Sequence, residues 1–272
     1  MKVILALSTA LSLLFTYNNT TKEESTEPKK NIHINDNLEN PPFTKLIEDA
    51  HKKEIFLSKE AVAYDVKIKF GGKLRMDARI TQLTDGSKIR IDYKDGKQLV
   101  FDGNEVFAVS ETKLSGKERF DIFTWSYFFA MPYKLNDAGT NWGADAKNKW
   151  GEVMFDTNKL TFNEGVGDTP KDWYEVYKNP ETNLLEGTAY IVSFGKSVKK
   201  AESDPHAIKF NDFINVENVP FATSWSFHNW NKEEGYKDVI GSTELANIKF
   251  ETLSEGFFSK SENAILVPMP KK

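Results

Sequence analysis

Three residues of this sequence could form an acid–base site: His206, Asp168 and Asp172. A histidine that a carboxylate orients can act as a general base, provided that the fold brings the two together. With 40 acidic residues in the chain, however, chance pairings are frequent, and His206 directly follows a proline, as a histidine in a surface turn would. The chain also lacks the nucleophile elbow, the H-E-x-x-H helix and the phosphate loop. The sequence therefore predicts no catalytic residue and no enzyme, and a hydrolase near these three residues is the less favoured alternative.

Metal and cofactor chemistry has no sequence signal either. The chain has no cysteine and hence no thiolate ligand, and its 4 histidines do not share metal-ligand spacing. The net charge is −4 and no block is rich in Lys or Arg, which excludes nucleic acid as an expected partner. We predict no cofactor and no metal.

The strongest chemical signal is apolar: the chain has 6 Trp, 9 Tyr and 20 Phe. An ordinary core explains these residues, because aromatic side chains bury large areas. Alternatively, some of them line a cavity between a sheet and its helices, suited to an acyl chain or another apolar ligand. Both interpretations can hold together. The candidate lining residues are Trp125, Phe128, Phe129, Met131, Phe155, Phe162, Trp173, Tyr190, Trp225 and Phe227.

The elements that must position these residues are mostly strands. From residue 60 to residue 93, apolar and polar residues alternate with period two, and Gly-Gly or Asp-Gly pairs separate the runs. This pattern predicts an antiparallel meander with one apolar face. Further strand-like runs continue to the C-terminus, and the last two span Pro220–Trp230 and Leu245–Thr252. Counting all of them, we predict about eleven or twelve strands in one strongly curved antiparallel sheet, with helices on one side.

Two helices are predicted. Asn40 and Pro41-Pro42 form a helix start signal, and Phe43, Leu46, Ile47 and Ala50 follow at helical spacing. The second helix spans Lys117–Met131, is apolar all round in its second half and ends at Pro132. Such a helix needs an apolar concavity to lie in, and a curved sheet provides one.

The N-terminal segment predicts export. Lys2 supplies a positive charge, and residues 3–15 form an apolar run of thirteen, shorter than the roughly twenty that span a membrane. Polar residues follow from Asn18 onward. We expect a signal peptide over 1–17, a disordered polar tether over 18–40 and a single folded domain over 41–272.

Six short phrases form a pattern whose most specific part lies between Asp168 and Tyr190. They are Phe101-Asp102-Gly103, the stretch 127–135, Asp137-Ala138-Gly139, the stretch 165–174, the stretch 179–183 and Ala189-Tyr190. Together they resemble an uncharacterised, DUF6503-type family of exported bacterial proteins. That family resembles the outer-membrane lipoprotein carrier superfamily of LolA and LolB.

The resemblance implies a mainly β (α+β) half-barrel of about eleven antiparallel strands, with helices packed on its concave side. In the carriers these helices cover an apolar cavity that receives lipoprotein acyl chains. Many relatives carry a lipid-modified cysteine where this chain has Tyr17, so we expect no covalent lipid anchor. The family pattern also places a glycine pair where this chain has Lys52-Lys53, which argues against a special backbone role for that turn.

These observations favour an exported, non-enzymatic binding protein, periplasmic or associated with the outer membrane, with an apolar cavity for a lipid, an acyl chain or a lipoprotein-like ligand. The alternative is an envelope structural or scaffolding protein whose core is filled. The expected partners are an apolar small molecule or acyl chain. An envelope-protein partner and peripheral contact with a membrane stay open.

Overall fold

The computed structural model describes residues 42–109 and 113–270. These residues belong to one unit, Glu39–Lys272. The predicted signal peptide and tether, and the N-cap Asn40, lie outside the described residues and stay predictions.

The alternating residues from 61 to 109 form five consecutive antiparallel strands, as their period predicts. Gly71 and Gly72 join the first two with φ angles of 53° and 75°, which glycine adopts at little cost. The five strands are β1 Ala61–Phe70, β2 Lys73–Leu83, β3 Ile89–Tyr93, β4 Gln98–Phe101 and β5 Val106–Val109.

The second half of the chain adds nine strands to the same sheet. They are β6 Thr140–Trp142, β7 Ala146–Trp150, β8 Val153–Phe162, β9 Tyr174–Lys178, β10 Leu185–Tyr190, β11 His206–Val216, β12 Val219–Asn231, β13 Gly235–Glu251 and β14 Ile265–Leu266.

The sheet is continuous and open. Its order is β14-β5-β4-β3-β2-β1-β13-β12-β11-β10-β9-β8-β6, with β7 paired to β8, and its two end strands do not pair with each other. Antiparallel pairing of β13 with β1 joins the two halves of the chain. The sheet has 14 strands, more than the predicted eleven or twelve, because short strands such as β6 and β14 lie within weak sequence patterns.

Four helices and one short 3₁₀ turn complete the described residues. The two predicted helices are confirmed, and the smaller ones follow or precede strands. They are α1 Pro42–Ala50, α2 Lys53–Leu57, α3 Glu118–Ala130, the 3₁₀ turn Met131–Tyr133 and α4 Val198–Glu202.

The aromatic side chains of α3 reach strands that lie far apart in the sheet. Phe123 lies 5.1 Å, between ring centroids, from Phe101 on β4, whereas Tyr127 lies 6.4 Å from Phe162 on β8. A flat sheet would separate these two strands by about 40 Å, whereas a helix with its side chains is only about 10–12 Å across. The sheet therefore curves around α3, and the prediction of a curved antiparallel sheet with helices on its concave side is confirmed.

Candidate functional site

A narrow slot lies between the C-terminal half of α3 and strands β11 and β12. Its cavity volume is about 20 Å³, and most of its lining residues are apolar. Phe213, Pro220 and Ala222 are half-buried, so the slot opens to solvent at these three residues. The full lining comprises His51, Phe128, Phe129, Pro132, Tyr133, Leu185, Phe210, Phe213, Pro220, Phe221, Ala222 and Trp225.

Strand β11 contributes two aromatic walls because its alternation is interrupted. Phe210 pairs with Trp225 of β12, and the two ring centroids are 5.9 Å apart. Asp212 then adopts a φ of 55°, in the left-handed region. As a result Phe210 and Phe213 line the same slot although they are three positions apart.

The deep end of the slot is closed by stacked rings. Phe129 stacks on Tyr64 of β1 at 3.8 Å and on Phe221 of β12 at 5.3 Å, measured between ring centroids. Phe128 packs edge-on against Tyr190 of β10 at 5.0 Å. The remaining volume holds about one water molecule, so a ligand of any size enters only if these rings move.

His51 lies beside the mouth of the slot, between α1 and α2, and only 2% of its surface is exposed. Its ring centroid is 5.9 Å from that of the half-buried Phe213 and 6.0 Å from that of Tyr133. The backbone N–H of Leu185 donates a 2.9 Å hydrogen bond to its Nε2. Burial lowers the pKa of His51 to about 3, against a weaker opposing effect of the Pro220 carbonyl.

Lys52 places His51 by adopting a special backbone conformation. Its φ of 58° is left-handed, which lets α1 end and α2 begin with a single intervening turn. The expectation that this turn has no special backbone role is therefore wrong. The residue is a lysine at a position that glycine would occupy with less strain.

The sequence-predicted lining residues separate into three sets. Phe128, Phe129 and Trp225 line the slot. Trp125, Met131, Tyr190 and Phe227 are buried in the same core, and Phe162 packs against it. Phe155 and Trp173 belong to a second aromatic cluster. Neighbouring residues on β9 divide between the two clusters, Val176 in the core and Tyr177 in the second, so the clusters occupy opposite faces of the sheet.

Sequence reasoning missed His51 as a lining residue. The signal that could have found it is its spacing, because Phe43, Ile47 and His51 follow one another at intervals of four and share one face of a helix. Phe43 and Ile47 are both buried in the core.

The three residues of the hydrolase alternative have separate partners. Arg119 donates two hydrogen bonds, of 2.7 and 2.8 Å, to Asp168. Asp172 accepts a 2.9 Å hydrogen bond from the backbone N–H of Ser193, and burial raises its pKa. His206 lies 3.7 Å from the carboxylate of Asp204, measured from Nε2. Within residues 42–109 and 113–270, no group of three or more His, Cys, Asp or Glu side chains could hold a metal ion.

A family model matches residues 84–245, which is more than half of the chain. The chain belongs to the DUF6503 family. The family is described as one of unknown function. No curated protein matches the chain.

Solved structures resemble this DUF6503 protein in fold. A LolA superfamily protein from Nitrosomonas europaea has a TM-score of 0.52 and 9% identity, covering 79% of this chain and 97% of its own. A DUF1329 family protein from Desulfovibrio piger has a TM-score of 0.51 and 13% identity, covering 80% and 95%. A putative outer membrane lipoprotein-sorting protein domain from Vibrio parahaemolyticus has a TM-score of 0.49 and 9% identity, covering 79% and 95%. The first two likenesses establish a LolA-like fold, and the sequence-based assignment to the family and its fold is confirmed.

In this DUF6503 protein, α3 is held at its N-terminus by two buried carboxylates. Glu118 accepts 2.9 Å hydrogen bonds from the backbone N–H groups of Ser115 and Gly116, and a 2.7 Å bond from Lys97. Although burial opposes it, these donors lower the pKa of Glu118 to about 2. Asp121 binds Arg75, and burial raises its pKa against that charge. The C-terminal half of α3, by contrast, is held mainly by apolar contacts.

Several polar atoms around α3 are buried without a hydrogen-bond partner. They include Oη of Tyr64 and Oη of Tyr127. Burial raises the pKa of both tyrosines. Each unpaired buried group costs about 1–3 kcal/mol.

No helix within the described residues is long and apolar enough to cross a membrane.

Proposed function

We propose that this protein is an exported, non-enzymatic binding protein that takes an acyl chain, or a similarly shaped apolar molecule, into the slot beneath α3. The observation that carries the proposal is the slot itself, with aromatic walls on the concave face of the sheet and a mouth at Phe213, Pro220 and Ala222. The fold supports the same function by analogy alone, because a LolA superfamily protein has a similar fold.

The ligand enters by replacing the aromatic contacts of α3. Phe128 and Phe129 fill the deep end of the slot, and an acyl chain exchanges apolar contacts with them for apolar contacts with itself. The ion pairs of Glu118 and Asp121 hold the N-terminus of α3 to the sheet during this exchange. The C-terminal half of α3 is therefore the part that moves.

Titration with labelled acyl chains tests the proposal. A pyrene-labelled long-chain acyl group, offered as the free acid and as its methyl ester, is expected to bind the wild-type protein at one chain per molecule. Ala222→Phe narrows the mouth and is expected to weaken binding at least about tenfold, since it removes ligand contacts worth more than about 1.4 kcal/mol. Ala246→Phe places the same side chain at an exposed position of β13 and serves as the matched control.

Organic extraction of the purified protein, followed by mass spectrometry, gives an independent measurement. A stoichiometric acyl lipid in the extract is the expected result. The proposal is overturned if neither form of the probe binds and repeated extracts contain no lipid.

A scaffolding protein with a filled core is the second candidate. The observation that favours it is the cavity volume of about 20 Å³, too small for an acyl chain while α3 stays closed. The titration with acyl probes distinguishes the two functions, because each predicts a different result. A scaffold takes up no acyl probe, and Ala222→Phe then changes only the stability of the protein.

Export is part of the proposal and has its own test. The proposed signal peptide over residues 1–17 predicts that the protein is recovered from the cell envelope or the periplasm. Cell fractionation with mass measurement of the recovered chain is the experiment. Recovery of the full-length chain in the cytoplasm alone would overturn this part and leave the binding proposal standing.

A further inference from the structure

The helices α1 and α2 border the mouth of the slot. The ring of His51, between the two helices, lies 5.9 Å from that of Phe213, measured between centroids. Just after α2, Lys59 forms an ion pair with Glu217 in the turn between β11 and β12. The β11–β12 hairpin carries all three mouth residues, so contacts at two points along the helical pair hold it beside the opening.

Large apolar side chains are exposed on these bordering elements. The exposed fraction is 44% for Leu46 of α1, and it is 36% and 43% for Ile55 and Leu57 of α2. On β11, Ile214 directly follows the mouth residue Phe213 and is 45% exposed. Single exposed apolar residues are ordinary, whereas a group of them beside one opening marks an interaction site. We call Leu46, Ile55, Leu57 and Ile214 the apolar rim.

The charges of the helical pair cancel. Residues 43–60 contain four lysines and four acidic residues. Lys45 is paired with Asp49, and Lys53 is paired with Glu48. A surface without net charge gains little from an anionic membrane or from an oppositely charged protein. The apolar side chains therefore have to supply the affinity, and shallow burial of such side chains among lipid headgroups does so.

The size of the apolar rim fits a bilayer better than a protein partner. Each partner of a stable protein complex buries about 800 Å². The rim has four side chains, each of them less than half exposed, so it falls well short of that area. Membrane binding has no such minimum, because its strength rises with the apolar area that is inserted. A bilayer is also where acyl chains reside, and it therefore brings the proposed ligand to the mouth.

We infer that the apolar rim docks this protein on the surface of a zwitterionic lipid bilayer, so that the mouth of the slot faces the acyl chains. The inference rests on the proposed function, because it treats this mouth as the entry for the ligand. It adds the surface from which the ligand is taken and the residues that contact that surface.

A fluorophore at a single site tests the docking, because the chain has no cysteine of its own. Ser58→Cys places an NBD label beside Leu57, and Lys73→Cys places one at the far end of β1, which is about 30 Å long. Both positions are exposed. With phosphatidylcholine vesicles, we expect the label at Ser58→Cys to shift its emission to shorter wavelength and to become protected from iodide. The label at Lys73→Cys is expected to stay unchanged, and equal responses at the two sites, or none at Ser58→Cys, would overturn the inference.

Two further conditions distinguish other ways of covering the apolar rim. Added phosphatidylglycerol and high salt are expected to leave the shift at Ser58→Cys in place. A shift that requires phosphatidylglycerol and disappears in salt would mean that the lysines bind the membrane, and it would overturn the inference. A shift that appears without vesicles as the protein concentration rises would do the same, because a second copy of the chain would then cover the rim.

Variants of the apolar rim have a matched control. Ile55→Asp combined with Leu57→Asp is expected to weaken vesicle binding at least about tenfold, since it removes two of the four inserting side chains. Leu74→Asp makes the same change at a leucine that is 60% exposed near the far end of β1, and we expect it to retain binding. If the double variant is not folded by circular dichroism, Leu46→Asp takes its place. Equal binding by the rim variant and the control would contradict the inference.

Transfer measurements separate docking from uptake. The double variant is expected to take a pyrene-labelled acyl lipid from vesicles at least about tenfold more slowly than wild type, while it keeps the wild-type affinity for the monomeric pyrene-labelled methyl ester. Loss of both in equal measure would overturn the inference, because the rim residues would then belong to the slot itself. If the monomeric ester binds neither protein, the proposed function fails, and the label at Ser58→Cys still decides whether the rim docks.

Discussion

His51 stays neutral over the whole range in which an exposed histidine would titrate, because burial lowers its pKa from 6.5 to about 3. The unfolded chain binds a proton at this residue below pH 6.5, whereas the folded chain does not until about pH 3. The contribution that the neutral His51 makes to the free energy of unfolding is therefore complete above pH 6.5 and is lost as the pH falls toward 3. Between pH 7 and 4.5 we expect wild type to lose roughly 2–3 kcal/mol more of its free energy of unfolding than His51→Gln does. Urea titrations of both proteins at the two pH values measure the difference, and parallel losses would contradict it.

Tyr64 and Tyr177 are both fully buried, but only one of them pairs its hydroxyl. Oη of Tyr64 has no partner, whereas Oη of Tyr177 accepts a 3.1 Å hydrogen bond from Nε1 of Trp230. We expect Tyr64→Phe to stabilise the protein by about 1 kcal/mol, and Tyr177→Phe to destabilise it by about 1–2 kcal/mol. Chemical denaturation of the matched pair gives both values. A loss of stability in Tyr64→Phe would show that its hydroxyl is satisfied in solution.

At the residue scale, the predicted lining residues differ in where the fold places them. Phe128, Phe129 and Trp225 lie against the slot, and their role in binding a ligand stays a prediction. Phe155 and Trp173 carry the same sequence signal but lie on the opposite face, in a cluster that also contains Trp150 of β7. Which face of a curved sheet an aromatic residue occupies depends on strand register and on what packs behind the sheet, and local period specifies neither.

Among the elements, α3 depends on the polar contacts of its first turn. Glu118 of α3 is fully buried, and its pKa of about 2 lies below the ordinary value of 4.5. The stability that the ionised Glu118 contributes is therefore present above pH 4.5 and is lost as the pH falls toward 2. At pH 7 we expect Glu118→Gln to reduce the free energy of unfolding by about 2–3 kcal/mol, because Lys97 then remains without its partner. Glu54→Gln on the exposed side of α2 is the control and should change it by less than about 0.5 kcal/mol. Equal effects of the two substitutions would contradict a special role for Glu118.

Element boundaries show where sequence patterns suffice. Strand β1 and its turn at Gly71-Gly72 follow from alternation and glycine alone. Strand β13 was predicted over 245–252 but spans Gly235–Glu251. The first half of β13 includes polar or charged residues such as Lys237 and Asp238. This half is a strand because it pairs with β12, and not because apolar and polar residues alternate along it. Such pairing between distant segments is a tertiary effect that single-segment propensity does not contain.

For the whole molecule, the curved sheet was predictable from the sequence, but the strand pairing that joins its two halves was not. Alternation and hairpin turns predicted an antiparallel sheet, and the apolar helix predicted its curvature. The pairing of β1 with β13, which lies between residues more than 170 positions apart, left no local trace. That one pairing makes two meanders into a single half-barrel around α3, and it thereby brings His51 of the first half beside Phe213 and Pro220 of the second.

Because the slot belongs to both halves of the chain, a ligand in it should stabilise the whole fold. A ligand that binds only the folded state adds about 2.7 kcal/mol at a concentration of 100 times its Kd. For a domain of this size that corresponds to a rise in Tm of roughly 5–10 °C. We expect methyl dodecanoate to produce this rise in wild type and in Ala246→Phe, and to produce little or none in Ala222→Phe at the same concentration. Differential scanning calorimetry across a ligand series measures it. A Tm that stays constant in wild type as the ester concentration rises is the result that a filled, ligand-free scaffold requires.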